Sequence, residues 1–180
     1  CFLCACAATS GSRAQGVPVY LTNSRPVHLL PVSAMDSSLD APQTIEGAYG
    51  EKIFFLEGWT VANDSGLSIS LFNTMGASLG TLRYMADSIS FESRFIDVKK
   101  MKPEYIVADF ELCYYKPEAV RGMLARAGLG FSEMRRDSSL LRTITSGSDT
   151  IVTIERTRKN LHLKNHLRGY EYNIRYGEKD

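Results

Sequence analysis

From residue 52 onward, apolar and polar positions alternate with a period of two, the spacing of a half-buried strand. Residues 52–62 are rich in β-branched and aromatic side chains and run into the turn Asn63-Asp64-Ser65-Gly66. Leu67, Ile69 and Leu71 then share one face of a second strand. Residues 79–85 and 88–95 read the same way, with Ile89, Phe91 and Phe95 on one side and Ala86-Asp87 turning the chain between them. Four consecutive strands at this spacing predict an antiparallel meander.

At Pro103 the period changes. Val107, Phe110 and Tyr114 recur at helical spacing, and proline in the first turn costs no hydrogen bond. Pro117 closes that helix and opens another over 118–127, where Val120, Met123, Leu124 and Ala127 form the apolar face and Gly128 supplies the stop. Alternation returns over 129–135, 140–146, 151–156 and 159–163. In the last strand, 170–176, Tyr170, Tyr172, Ile174 and Tyr176 lie on one side. Before residue 52 the pattern is broken: Pro18, Pro26, Pro31 and Pro42 interrupt short apolar pieces, which predicts a tether leading into an edge strand or irregular cover. The expected fold class is therefore mainly β with a helical lid (α+β). About nine strands form one curved antiparallel sheet, and the helix pair covers its concave face. A sheet that curls without closing leaves an apolar pocket beneath such a lid.

Charge removes one class of function. Lys+Arg number 21 against 20 Asp+Glu, so no net field draws a polyanion, and nucleic acid is not an expected partner. The basic residues Arg156, Arg158, Lys159, Lys164 and Arg168 read as the solvated face of a hairpin.

The four cysteines are too uneven for a disulfide framework: Cys1, Cys4 and Cys6 crowd the start and Cys113 stands alone on a helix face, as a small core residue would. Cys1 and Cys4 have zinc-like spacing but no second ligand pair follows, so no metal or cofactor is expected. Leu3-Cys4-Ala5-Cys6 instead resembles a bacterial lipobox, in which a cysteine thiol receives a diacylglycerol. The expected organisation is a signal-peptide remnant and lipobox over 1–6, a flexible tether and edge segment over 7–27, and a folded domain over 28–180. Cys6 is the expected anchor, with Cys4 and Cys1 as alternatives. No later apolar run reaches the roughly 20 residues needed to span a bilayer.

Two constellations invite chemistry. Gly76-Ala77-Ser78-Leu79-Gly80 matches the nucleophile elbow of serine hydrolases, which requires a strand-to-helix turn, whereas the residues after Ser78 read as strand. A serine esterase using Ser78 is thus the lesser alternative, and no catalytic residue is assigned. His162 and His166 lie four apart, but on an alternating segment that keeps the rings from sharing a metal.

Residues 70–82 resemble the hairpin of LolB, the outer-membrane receptor that inserts lipoproteins. There an Asn-Pro-Leu-Gly turn exposes a leucine toward the membrane. Here Asn73, Thr74, Met75 and Gly76 occupy the turn, with threonine for proline and methionine for leucine. Over residues 28–176 the chain resembles a family of LolB-like bacterial lipoproteins of unknown function, some of which accompany aryl-polyene biosynthetic clusters. The resemblance is carried by His28-Leu29-Leu30-Pro31, Gln43, Gly50, Gly76, the run Pro103–Asp109, Pro117, Ile154, Leu163, Asn165 and Gly169-Tyr170. It implies that residues 28–180 are a LolB-like lipid-binding domain, a LolA/LolB-type open barrel with a helical lid, lipid-anchored in the bacterial outer membrane and facing the periplasm. The expected role is to shelter acyl chains of a lipoprotein or other amphiphile, with membrane lipid and a periplasmic lipoprotein carrier as partners and a monomeric state. Met75 would be the membrane-facing tip. The cavity would be lined by Phe54, Leu56, Leu67, Ile69, Leu71, Tyr84, Ile89 and Phe91 from the sheet and by Ile106 and Phe110 from the lid. Ordinary close-packed core remains the alternative for each of these, and a ligand-free structural lipoprotein the alternative for the whole.

Overall fold

The computed structural model describes residues 16–85, 88–96 and 102–177. Cys1, Cys4, Cys6 and the segment expected as a tether up to residue 15 lie outside them. The alternating segments become strands β4 (Lys52–Asn63), β5 (Gly66–Phe72), β6 (Ser78–Met85), β7 (Ser88–Glu92), β8 (Gly130–Arg136), β9 (Ser139–Ser146), β10 (Asp149–Arg156), β11 (Asn160–Asn165) and β12 (Tyr170–Tyr176). The helical stretches form α1 (Pro103–Tyr114) and α2 (Pro117–Arg126), each with proline in its first turn.

A tenth strand completes the sheet. β3 (Leu39–Tyr49) lies between β4 and β12 and joins two meanders into the order β7-β6-β5-β4-β3-β12-β11-β10-β9-β8, antiparallel throughout. Its Pro42 sits inside a central strand, where a missing donor is normally excluded. Pairing with β12 runs only from Gln43 to Tyr49, and the Pro42 carbonyl accepts from Gly177 N–H just past the end of β12. The missing N–H therefore lies on the β12 side, one position past the end of that ladder, and removes no bond from it. The sheet curves and stays open, with β7 and β8 as its edges.

Phe95 is a correction to the expected strand over 88–95. Ser93 Oγ accepts the backbone N–H groups of Phe95 and Ile96 at 3.1 and 2.8 Å, a local turn that ends the ladder at Glu92 and leaves Phe95 exposed.

Residues 16–35 strap over the lid. Short strands β1 (Pro18–Val19) and β2 (Val27–His28) pair with each other, and Val19, Leu21, Val27 and Leu29 are buried. This explains why α1 buries seven consecutive residues, Val107 to Cys113, and not a single stripe: it is covered on both sides. Leu30 N–H donates to the buried Glu111 carboxylate at 2.9 Å, and Met35 forms a bridge with Tyr115.

The C-terminus of α1 is fixed by groups from outside the helix. Arg142 on β9, only 1% exposed, donates to the Leu112 carbonyl at 2.6 Å, the Tyr115 carbonyl at 2.8 Å and Glu133 on β8 at 2.9 Å. Arg156 on β10 caps the Cys113 carbonyl and Asp36 N–H the Tyr114 carbonyl. Four trailing carbonyls that a helix cannot satisfy itself are thereby paired, two of the donors being cations at the negative end of its dipole.

Candidate functional site

Between the concave face of the sheet and α1 lies a cavity of about 600 Å³, inside the range of about 300–1,000 Å³ usual for small-molecule pockets. Inward positions alternate along each strand: Ile45 on β3, Phe54 and Leu56 on β4, Ile69 and Leu71 on β5, Leu82 on β6, Leu161 and Leu163 on β11. Ile106 and Phe110 close the wall from α1.

Six of the expected lining residues therefore meet at one cavity: Phe54, Leu56, Ile69, Leu71, Ile106 and Phe110. The other four do not line it. Leu67 and Tyr84 are buried at the far end of their strands, and the Tyr84 hydroxyl donates to the Leu30 carbonyl under the N-terminal strap. Ile89 and Phe91 pack against the core from edge strand β7.

The lining residues that remain exposed are Tyr49, Phe54 and Lys102. Tyr49 and Phe54 belong to the β3–β4 hairpin, and Lys102 precedes α1. Tyr49 pairs with Tyr170, and Gly50 N–H donates to the Gly169 carbonyl, so the β11–β12 turn lies at the same end. The cavity opens there. The Phe54 ring lies across Gly47, where a Cβ would come within 2.0 Å of it.

At this end of the sheet, side chains that usually avoid water are exposed. Ile53 and Phe55 stand on the outer face of the β3–β4 hairpin, Phe95 after β7, Leu167 in the β11–β12 turn and Met75 at the β5–β6 tip. Met75 is 87% exposed. The tip is held from within: Asn73 Oδ1 accepts from Met75 and Ala77 N–H at 3.0 and 2.9 Å, and Gly76 takes φ +80°, which glycine adopts without steric cost. Thr74 is exposed beside it.

Polar groups on the cavity wall are few and placed. Asp109 on α1 is buried and accepts from the Tyr170 hydroxyl at 3.0 and 2.8 Å and from the Tyr172 hydroxyl at 2.7 Å. Burial pushes its carboxyl up to about 6, against the pull of those hydrogen bonds and of the Arg168 charge. Burial likewise raises both tyrosines. Thr60 donates to Gln43 at 3.0 Å on the opposite wall. Cys113 lines the inner end, and burial pushes its thiol well up, away from thiolate chemistry.

The chemistry-bearing motifs fall elsewhere. Ser78 is exposed at the start of β6, and the segment after it is strand, not the helix a nucleophile elbow requires. His162 lies near Glu171, while His166 meets Thr153 at 3.0 Å. Among the described residues no group of three or more metal-ligating side chains gathers. No helix among them is long and apolar enough to cross a membrane.

Asp109, Tyr105, Arg168, Tyr170 and Tyr172 were not expected at the site. The alternation in β12 already placed Tyr170 and Tyr172 on one face. Inward tyrosines need a partner for their hydroxyls, and Asp109 on the buried side of α1 is the acceptor in reach.

An open antiparallel sheet, a helical lid and an apolar cavity between them define the protein as a lidded half-barrel. The chain belongs to a family described as a protein of unknown function (DUF3261), whose model matches residues 40–177, from β3 to the end of β12. No curated protein matches the chain.

Proposed function

We propose that this protein is a LolB-like, lipid-anchored envelope protein that shelters the acyl chain of a lipoprotein or other amphiphile during transport or membrane insertion. One observation carries the reading: an apolar cavity of about 600 Å³ opens at exposed Tyr49 and Phe54, at the end of the sheet where Ile53, Phe55, Phe95 and Leu167 are also exposed. A long acyl chain gains about 0.8 kcal/mol per buried methylene, so a dozen methylenes supply roughly 10 kcal/mol before the costs of binding. An apolar collar is costly in water and stabilised at a lipid surface, which is where such a cargo is collected or released. Met75, on its stiff turn, is the tip that enters that surface. Cys6 is the anchor, and the protein faces the periplasm of the outer membrane, meeting a carrier that delivers the cargo.

The test is uptake of a fluorescent fatty acid by the delipidated full-length protein. Saturable binding that weakens in Leu71→Phe, which fills part of the cavity, is the expected result. No saturable uptake refutes the role and leaves a packed, ligand-free domain. The anchor is checked separately by mass spectrometry of the N-terminal peptide, where an unmodified Cys6 refutes it.

A further inference from the structure

At the mouth of the cavity two cations flank one aromatic ring. The Arg168 guanidinium lies 4.6 Å from the Tyr105 ring centroid and Lys102 Nζ lies 5.8 Å from it. All three residues line the cavity. Arg168 donates from Nη2 to the Tyr20 carbonyl and to the Tyr105 hydroxyl, while its Nε is buried with no hydrogen-bond partner. A buried donor left unpaired costs about 1–3 kcal/mol, more when it carries charge, so it marks a place for an acceptor.

Neither cation forms an ion pair with a carboxylate among the described residues. Asp109 feels the Arg168 charge, but its carboxylate is engaged by Tyr170 and Tyr172. Lys102 also adopts φ +49°, a left-handed conformation uncommon outside glycine, asparagine and aspartate. Apart from these groups the surroundings are apolar: Ile96 and Ile106 beside the cations, then Phe54 and Leu56 across the opening.

We propose that the cargo is an amphiphile with a single anionic head, a carboxylate or a phosphate monoester, gripped at the mouth by Arg168 and Lys102 while its tail occupies the cavity under α1. This rests on the cavity reading above and adds the chemistry of the head. The guanidinium presents its unpaired Nε–H to one oxygen, and the ammonium reaches a second as a mobile point charge. Tyr105 holds the two cations apart and apolar walls receive the first methylenes.

The experiment titrates the delipidated full-length protein by calorimetry with a fatty acid, a monoalkyl phosphate and a fatty alcohol of the same chain length, each below its aggregation concentration. At least one anion should bind roughly ten- to a hundredfold tighter than the alcohol, the span expected for hydrogen bonds to a charged group. A preference for the acid identifies a carboxylate head and a preference for the phosphate a phosphate head. Lys102→Gln, at an exposed position that leaves folding intact, and Arg168→Gln should each reduce that preference, lowering the affinity for the anion more than the affinity for the alcohol. If the alcohol binds as tightly as both anions, the head assignment is overturned and the cavity reading stands. If none of the three binds, both fall.

Discussion

Arg142 gives the sharpest energetic expectation. Replacing it by methionine keeps most of the apolar stem and removes the guanidinium. The Leu112 and Tyr115 carbonyls then lose their donors inside the protein, and Glu133, whose side chain is 10% exposed, loses its buried partner and keeps only the exposed Arg135 at 3.5 Å. Two stranded carbonyls at about 1–3 kcal/mol each, plus a carboxylate left with only a solvent-screened partner, predict a loss of about 3–5 kcal/mol. With a urea dependence near 2 kcal/mol per molar, usual for a domain of this size, the unfolding midpoint should fall by about 2 M. Arg142→Lys should recover only part of this, because a single ammonium cannot serve three acceptors spread across the planar fork. Removing both charges in Arg142→Met/Glu133→Leu should cost less than Arg142→Met alone. An unfolding free energy for Arg142→Met within about 1 kcal/mol of the parent, a midpoint shift of about 0.5 M or less, would show that this side chain does not tie the lid to the sheet.

Other expectations follow from the same geometry. The Asp109 carboxyl sits at about 6 in the folded chain, above its ordinary 3.8. Its contribution to stability is thus complete below about pH 3.8 and is lost as the pH rises through 6, on the order of 3 kcal/mol in all. Asp109→Asn should flatten that part of the urea-midpoint profile against pH, and an unchanged profile would assign the slope to other groups. Gly47→Ala drives a methyl into the Phe54 ring, so the ring must leave the mouth. A loss of about 1–3 kcal/mol in thermal unfolding and altered fatty-acid affinity should result. The exposed pair Arg83–Glu92, at 3.3 Å, should matter little, and Glu92→Gln should change stability by less than about 1 kcal/mol. Met75→Asp should leave the thermal midpoint in place yet weaken association with lipid vesicles, as read by flotation.

Nine strands and α2 were legible because one face of each is more buried than the other, and α1 because proline opens it and Val107, Phe110 and Tyr114 recur at helical spacing although it is covered on both sides. β3 was hidden by composition. Pro42 and Gly47 interrupt it, and Asp40, Thr44 and Glu46 on its outer face resemble a loop unless the partner strands are known. The N-terminal strap was hidden for a different reason: strands of two residues carry no period, and Val19, Leu21, Val27 and Leu29 are core only because the two helices lie beneath them, α1 under β1 and α2 under β2. At the cavity, alternation identified Phe54, Leu56, Ile69 and Leu71, since these depend on strand face alone. It could not separate them from Leu67 and Tyr84, which share that face but sit farther along the strand, away from the space under the lid. Depth along a curved sheet depends on register and curl, and one strand's sequence holds neither. The grouping of Lys102, Tyr105 and Arg168 needed the helix and the β11–β12 turn brought together across more than sixty residues.

In a closed barrel, strand number and stagger fix the girth, and the interior can change only by breaking hydrogen bonds. This sheet has no such seam. α1 packs against edge strand β7 and α2 against edge strand β8, so helices stand where closing strands would be. The ten strands can flatten or tighten by small rotations, each ladder intact, while the helices slide against side chains. The width of such a half-barrel is set by side-chain contacts at its two edges and not by a closed hydrogen-bonded ring.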